Sequence, residues 1–222
     1  MSTRTELRPP FFRSPLGRIF AGVLAGLLLL VAGCPTSTFH YTPLDRPERI
    51  EPKGDYVHAG TGIVFPWSLE GFVRSDMRKY DVDGHEIEVH YKCFRPKEGA
   101  VAGAPFAVVS VYVYPAWGDD EAHADEVDQS IRDGHEDVTC LQKGRNAVSL
   151  GGREYTGITM RHEYRDRSFL GHVDRSSRTI LVRLEERRYP DWFVKYRMSW
   201  PRDRTEEVEP LVEKFLAAFS IP

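Results

Sequence analysis

Apolar and polar residues alternate strictly in the segment that follows an Asp-Gly dipeptide at residues 83–84. Every second position is apolar and charged or histidine side chains stand between, so that Ile87, Val89, Tyr91 and Cys93 alternate with Glu86, Glu88, His90 and Lys92. A period of two is typical of a β-strand buried on one face. Because Asp-Gly tolerates the positive φ angles of a tight primed turn, residues 72–82 and 86–94 are predicted to form a β-hairpin.

Other stretches predict further strands. Residues 106–115 are apolar in both phases of the alternation, which indicates a central strand covered on both faces and ended by Pro115. Shorter or weaker strand patterns occur at 62–66, 153–165, 179–187 and 192–200. An antiparallel meander is the economical arrangement for these segments.

Two stretches have helical periodicity. In residues 118–143, apolar residues recur at helical spacing among acidic ones, which predicts either one amphipathic helix or two short helices broken at Gly134. The chain closes with a wide apolar stripe that predicts a helix beginning near Glu207, after Pro201. The expected fold class is therefore α+β, an antiparallel β-sheet meander covered by two helices.

The N-terminal segment has the order of charges and apolar residues that an export signal requires. Four arginines and one glutamate precede or flank the start of an apolar run from Ile19 to Gly33. As a helix at ~1.5 Å per residue this run is about 22 Å long, short of the ~30 Å hydrocarbon core. A short permanent membrane helix is the alternative, but small Ala32 and Gly33 before Cys34 favour a peptidase site.

The sequence Leu30-Val31-Ala32-Gly33-Cys34 resembles the lipobox of bacterial lipoproteins. The resemblance implies that Cys34 receives a diacylglycerol thioether and becomes the first residue of the mature chain. Several acyl chains hold a protein on a membrane far more firmly than one. Pro35 stands where similar enterobacterial lipoproteins carry an inner-membrane retention aspartate, which favours the outer membrane in a host that has one.

The expected organisation is a signal peptide at 1–33, a lipidated N-terminus and flexible tether at 34–57, and one α+β domain at 58–222. The tether is rich in proline, threonine, serine and charge and has no apolar period. Removal of the signal, with its net charge of +3, lowers the formal net charge from −3 to −6. An acidic mature chain argues against nucleic acid as a partner.

The two remaining cysteines, Cys93 and Cys140, are predicted to form a disulfide, because an exported protein meets an oxidising compartment. The bond requires the helix break at Gly134, since an unbroken helix would turn Cys140 away from an inward-facing Cys93. The alternative is two unpaired buried thiols.

The eight histidines show no metal-site spacing. His85 and His90 are five residues apart and predicted to face opposite sides, and neither His135 nor His162 has a second histidine four residues later. Acidic residues around the Asp-Gly turn, Asp81, Asp83 and Glu86, lack the terminal glutamate of a calcium loop. The expectation is that the protein has no metal and no cofactor.

Catalytic signatures are also missing from the sequence. It contains neither a Gly-x-Ser-x-Gly elbow nor a Ser-x-x-Lys motif. Ser168, His172 and Asp174 are close in sequence, but these residue types are common in loops by composition. The chain is therefore expected not to be an enzyme.

The order of elements, with its central Val-Tyr-Val-Tyr-Pro strand and a closing helix after Trp200-Pro201, resembles the sandwich fold of the PsbP-like group. That resemblance covers residues 60–222 and implies a non-enzymatic domain that binds or helps to assemble envelope complexes. A second resemblance, to small bacterial lipoproteins, rests on Phe65-Pro66 and Gly71-Phe72-Val73-Arg74.

The expected function is that of a lipid-anchored, periplasm-facing binding or assembly module. Two rivals remain open. The first is an envelope hydrolase with a loop-assembled site around His162 and His172. The second is a carrier of a small apolar ligand between sheet and helix.

Overall fold

In the described part of the chain, the regular structure consists of one large antiparallel sheet, a separate two-stranded sheet, two α-helices and a 3₁₀ turn. The computed structural model describes residues 41–94, 105–168, 171–185 and 191–222. The strands are β1 (Pro43–Arg49), β2 (Tyr56–Val57), β3 (Val64–Phe65), β4 (Ser68–Leu69), β5 (Phe72–Asp81), β6 (Ile87–Cys93), β7 (Ala107–Pro115), β8 (Glu136–Leu150), β9 (Arg153–Ser168), β10 (Gly171–Leu184) and β11 (Trp192–Pro201). The helices are α1 (Asp120–Gly134) and α2 (Thr205–Ala218), the latter preceded by a 3₁₀ turn at Arg202–Arg204.

Two meanders meet in the middle of the sheet. The strand order is β1-β5-β6-β7-β11-β10-β9-β8, with β4 beside β5, while β2 and β3 pair separately. The pairing of β7 with β11 joins β5–β6–β7 to β8–β9–β10–β11. The predicted α+β class, hairpin and central strand are confirmed, and Gly84 at the hairpin turn has a φ of +75°.

Alternation along the strands places the helices on opposite faces of the sheet. In β10, Ile180 and Val182 belong to the hydrophobic cluster that contains α2, whereas Leu181 belongs to the cluster that contains α1. Neighbouring side chains of a strand point to opposite faces. The sheet is therefore covered by α2 on one side and, over β9–β11, by α1 on the other.

Aromatic side chains dominate the core on the α2 side. The Phe215 ring lies 5.2 Å from that of Phe72 and 5.1 Å from that of Tyr91, centroid to centroid. Trp192 and Trp200 of β11 are also almost completely buried there. The buried residues of α2 are Val208, Val212, Phe215 and Leu216, which form the predicted apolar stripe.

Helix α1 is fixed to the other face by a small apolar cluster and by ion pairs along β8 and β9. Its N-cap, Asp119, accepts hydrogen bonds from the amides of Glu121 and Ala122. Acidic residues spaced at one helical turn then face basic partners, pairing Glu121 with Arg145, Asp125 with Lys143, and Asp128 with His162. These contacts orient the helix relative to the edge of the sheet.

Two expectations about chain segments differ from the structure. The helix ends at Gly134 as one alternative required, but the following residues form strand β8 and not a second helix. His135 is extended, with φ −137° and ψ 163°, so the chain leaves the helical conformation there. Residues 43–49, which lie within the expected tether, form β1 on the edge of β5.

The predicted Cys93–Cys140 disulfide is not present. Four strands separate β6 from β8 in the sheet, and strands lie about 4.8 Å apart, whereas a disulfide needs α-carbons within about 7 Å. Cys93 also belongs to the α2-side core, while Cys140 lies beside Asp128 of α1 on the opposite face. The two thiols are therefore too far apart, and on the wrong faces, to bond.

Within the described residues, none of the helices has the length and apolar character needed to cross a membrane. The proposed lipidation site Cys34 and the signal at 1–33 lie outside those residues.

Candidate functional site

A hydroxyl, an imidazole and a carboxylate are linked in series on the α1 side of β6 and β7. Ser110 and His90 are direct partners in the β6–β7 ladder, so their side chains share one face. Ser110 Oγ lies 2.8 Å from His90 Nδ1, and His90 Nε2 lies 3.1 Å from Glu88 Oε1. Glu88 and Ser110 are each only 7% exposed, whereas the side chain of His90 between them is 23% exposed and meets solvent.

The ionised form of Glu88 is stabilised by its hydrogen-bond partners. Burial raises its pKa, but hydrogen bonds from His90, Tyr80 and Tyr112 outweigh burial and lower the pKa to about 2. The Tyr80 hydroxyl donates to Glu88 Oε2 at 2.5 Å. Glu88 is therefore ionised at neutral pH and holds the imidazole of His90 in one orientation.

A lysine with an unusually low pKa lies on the neighbouring strand. Lys195 Nζ is 4.2 Å from the ring centroid of Tyr112 and 5.5 Å from that of Tyr114. Burial, followed by the nearby charge of Arg197, lowers the pKa of Lys195 to about 8. Lys195 and Arg197 also line a cavity of about 200 Å³ against His123 and Glu126 of α1.

This arrangement can in principle move a proton from Ser110 to His90 while Glu88 steadies the imidazole. An acyl-transfer site also needs donors for the oxyanion. Ser110 lies within the ladders to both β6 and β11, so its own backbone is engaged in the sheet. The cationic side chains nearest in register are Arg197, directly opposite Ser110, and Lys195, opposite Tyr112.

The structure does not assemble the sequence-adjacent triad candidates. His172 Nε2 is 3.3 Å from Glu136 and is largely exposed, while Asp174 lies 3.4 Å from Arg165. The side chain of Ser168 lies outside the described part of the chain. His162 is buried and contacts Asp128 at 2.8 Å. His162 and His172 therefore have separate partners and do not form one site.

Asp81, beside the Asp-Gly turn, has a structural role. Asp81 Oδ1 accepts the amide of Glu86 at 2.8 Å, and its other carboxylate oxygen lies 3.2 Å from His85 Nδ1. Asp81, Asp83 and His85 nonetheless form one of two groups in the described residues with metal-binding atoms close together. The other group is Asp128, Cys140 and His162.

The sequence analysis found neither the Ser110–His90–Glu88 chain nor the group of Asp128, Cys140 and His162, and the reason is the same for both. The alternation of β6 placed Glu88 and His90 on one face, but Ser110 joins them only through the register of β6 with β7. Asp128, Cys140 and His162 come from a helix and two strands. Spacing motifs detect ligands within one element, so neither group leaves such a signal.

No protein-family model matches the chain, and no curated protein matches it. A solved Pseudomonas aeruginosa protein of unknown function, described as a putative regulator, is similar with a TM-score of 0.41 and 12% identity over 68% of this chain and 96% of that one. LpqN, described as involved in cell envelope biogenesis of Mycobacterium tuberculosis, is similar with a TM-score of 0.37 and 9% identity over 77% of this chain and 87% of that one. Both likenesses are too distant to transfer a function.

Proposed function

We propose that this protein is a lipid-anchored component of the bacterial cell envelope that binds another envelope protein. The anchor rests on the lipobox that ends at Cys34. The binding surface is the α1 side of β5, β6 and β7, which we name the open face and define by Arg78, Tyr80, Glu88, His90, Ser110 and Tyr112.

The observation that carries this proposal is the uneven covering of the sheet. The buried strand residues in the hydrophobic cluster under α1 come from β9, β10 and β11. Among the described residues, strands β5 and β6 contribute none, although both contribute buried residues to the core on the α2 side. On the open face Arg78 is exposed, while Tyr80, His90 and Tyr112 are half-buried around the buried Glu88 and Ser110. Tyrosine and arginine are enriched at protein interfaces.

Packing on the α2 side favours a surface site over an internal ligand cavity. The space between sheet and α2 is filled by fully buried aromatic side chains, among them Trp192, Tyr196, Phe215 and Phe219. A carrier of a small apolar ligand would need that volume empty. The carrier hypothesis therefore has less support than the binding hypothesis.

Site-specific photo-crosslinking in intact cells tests the binding role. A photoreactive amino acid replaces Arg78, which is exposed on the open face opposite Glu88, and in a matched control it replaces Lys214, exposed on α2. We expect one discrete crosslinked product from position 78 and none from position 214. Equal products from both positions, or none from either, would contradict a binding surface on the open face.

A hydrolase is the second candidate, and the Ser110–His90–Glu88 chain is the observation that favours it. In this hypothesis Ser110 Oγ attacks a carbonyl carbon while His90 takes its proton, and His90 then protonates the leaving group. Water, activated by His90, would cleave the resulting ester and restore Ser110. The candidate catalytic residues of this hypothesis are therefore different from His162 and His172, around which the sequence analysis expected a hydrolase site.

A fluorophosphonate probe distinguishes this second candidate. If Ser110 is an activated nucleophile, the intact mass should show one adduct that is lost in Ser110→Ala. The adduct should be retained in Ser199→Ala, which removes a serine of β11 on the same side of the sheet as Ser110. An unlabelled wild type, or labelling that survives Ser110→Ala, would remove the hydrolase from consideration without affecting the crosslinking result.

A further inference from the structure

Three metal-binding side chains from three elements meet beside the second half of α1. Asp128 comes from α1, Cys140 from β8 and His162 from β9. One metal-binding atom of each lies within 4.8 Å of the other two. A carboxylate oxygen, a thiolate sulfur and an imidazole nitrogen form a ligand set that suits zinc and similar ions.

An irregularity of β8 gives Cys140 its position. Cys140 is paired with His162, but Gln142 is paired with Arg161, so Leu141 is an extra residue in the ladder. A bulge of one residue shifts the alternation of the side chains that follow. As a result Cys140 and Lys143 both face α1, and Leu141 is left 58% exposed.

His162 is buried and presents one ring nitrogen to Asp128. It is 1% exposed, and Nε2 contacts Asp128 Oδ1 at 2.8 Å. Its Nδ1 is buried without a hydrogen-bond partner among the described residues. The two nitrogens of an imidazole point in different directions, so Nε2, which faces Asp128, is the nitrogen that can ligate together with Asp128 and Cys140.

We propose that Asp128, Cys140 and His162 bind a divalent transition-metal ion, zinc foremost. On binding, Cys140 loses its thiol proton to solvent and its sulfur coordinates the ion. Tetrahedral zinc with Zn–N and Zn–O bonds of about 2.0 Å separates two such ligands by about 3.3 Å, so Asp128 and His162 need only move slightly apart. Water completes the coordination, since Cys140 is partly exposed.

The charges around the site are compatible with a dication. Arg132 lies 3.3 Å from Asp128 Oδ1, and Lys143 lies 4.0 Å from Oδ2. The negative thiolate and carboxylate offset the ion, and Lys143 has a second acidic partner in Asp125. Lys143 is already closer to Asp125 than to Asp128, so it keeps an acidic partner when the ion binds.

Cobalt(II) titration of the full chain tests this proposal, because thiolate ligation gives a charge-transfer band in the near ultraviolet. All proteins carry Cys34→Ser, which removes the third thiol. We expect a band that saturates at one equivalent and disappears when zinc is added. The band should be lost in Cys140→Ser but retained in Cys93→Ser, a cysteine of the opposite face.

Two further variants separate ligation from folding. Asp128→Asn keeps the size of the side chain and should weaken cobalt binding at least tenfold, with an unchanged circular dichroism spectrum. Asp83→Asn, in the sulfur-free group at the Asp-Gly turn, should leave the band unchanged. The proposal is overturned if the protein with Cys34→Ser alone gives no thiolate band, or if the band survives the addition of Cys140→Ser.

Discussion

Phe193 and Val194 are neighbours in β11 but pack against different helices. Phe193 belongs to the cluster under α1, and Val194 belongs to the core that contains α2. This half of the sheet thus has apolar core residues on both faces, while the described residues of β5 and β6 join an apolar core on the α2 side alone. Stability should therefore depend mainly on the α2-side core, and binding should use the less covered half of the α1 side.

Truncation of Phe215 should destabilise the fold strongly. The side chain is completely buried between Phe72, Tyr91 and Phe219, and replacing a buried phenylalanine by alanine costs about 3–5 kcal/mol. Urea unfolding of Phe215→Ala measures this loss. The exposed neighbour in Lys214→Ala should change the free energy of unfolding by no more than about 0.5 kcal/mol. Similar values for the two variants would mean that α2 is not docked as described.

Gly157 of β9 is predicted to be intolerant of any side chain. A Cβ at this position would lie 2.8 Å from the Leu181 carbonyl oxygen and 3.0 Å from Val182 Cγ2. Because the first contact is with backbone, the strands must shift, so Gly157→Ala should cost about 1–3 kcal/mol. Gly144→Ala is the control, since a Cβ there meets nothing within 4 Å. A thermal melt that gives equal midpoints for both variants would refute the close approach of β9 and β10.

Stability should fall as the pH drops from about 6.5 to 4, because His58 is buried in its neutral form. Burial lowers the pKa of His58 to about 4, so between these values the unfolded chain binds a proton that the folded chain does not. A shift of this size corresponds to about 3 kcal/mol once the pH is below 4.

Hydrogen bonds fix the tautomer of His58. Nε2 donates to the His85 carbonyl at 3.1 Å, and Nδ1 accepts from the Thr61 amide at 3.2 Å. His58→Gln should flatten the pH dependence measured by urea unfolding, whereas His172→Gln, at a largely exposed site, should not. An unchanged pH profile in His58→Gln would show that other groups cause the loss.

Replacement of Cys34 should prevent lipid modification of the protein. The lipobox predicts cleavage before Cys34 and an added diacylglycerol, both of which the intact mass of the membrane-extracted protein reports. Cys34→Ser should abolish the lipid mass and leave the signal attached, while Cys93→Ser should remain lipidated. An uncleaved wild-type mass would instead support a short membrane helix at residues 19–33.

The predictable elements were those whose periodicity reflects one clearly buried face. The 86–94 strand alternates because its odd-numbered residues enter the α2-side core, and α2 carries an apolar stripe for the same reason. Strand β8 was missed because it lies at the edge of the sheet with most side chains at least partly exposed. Two apolar residues in its first half, Val138 and Leu141, continue the helical spacing of α1.

The sequence by itself determined most of the strands, the closing helix and the α+β class, since each depends on residues close together in the chain. The export signal and the lipobox at Cys34 remain predictions from the sequence. Only the tertiary structure decided which faces and strands meet. The pairing of His90 with Ser110 and of Cys140 with His162 depends on ladder register and on one bulge, and it separates Cys140 from Cys93. Register is set by packing between distant segments, so no local pattern could reveal these neighbours.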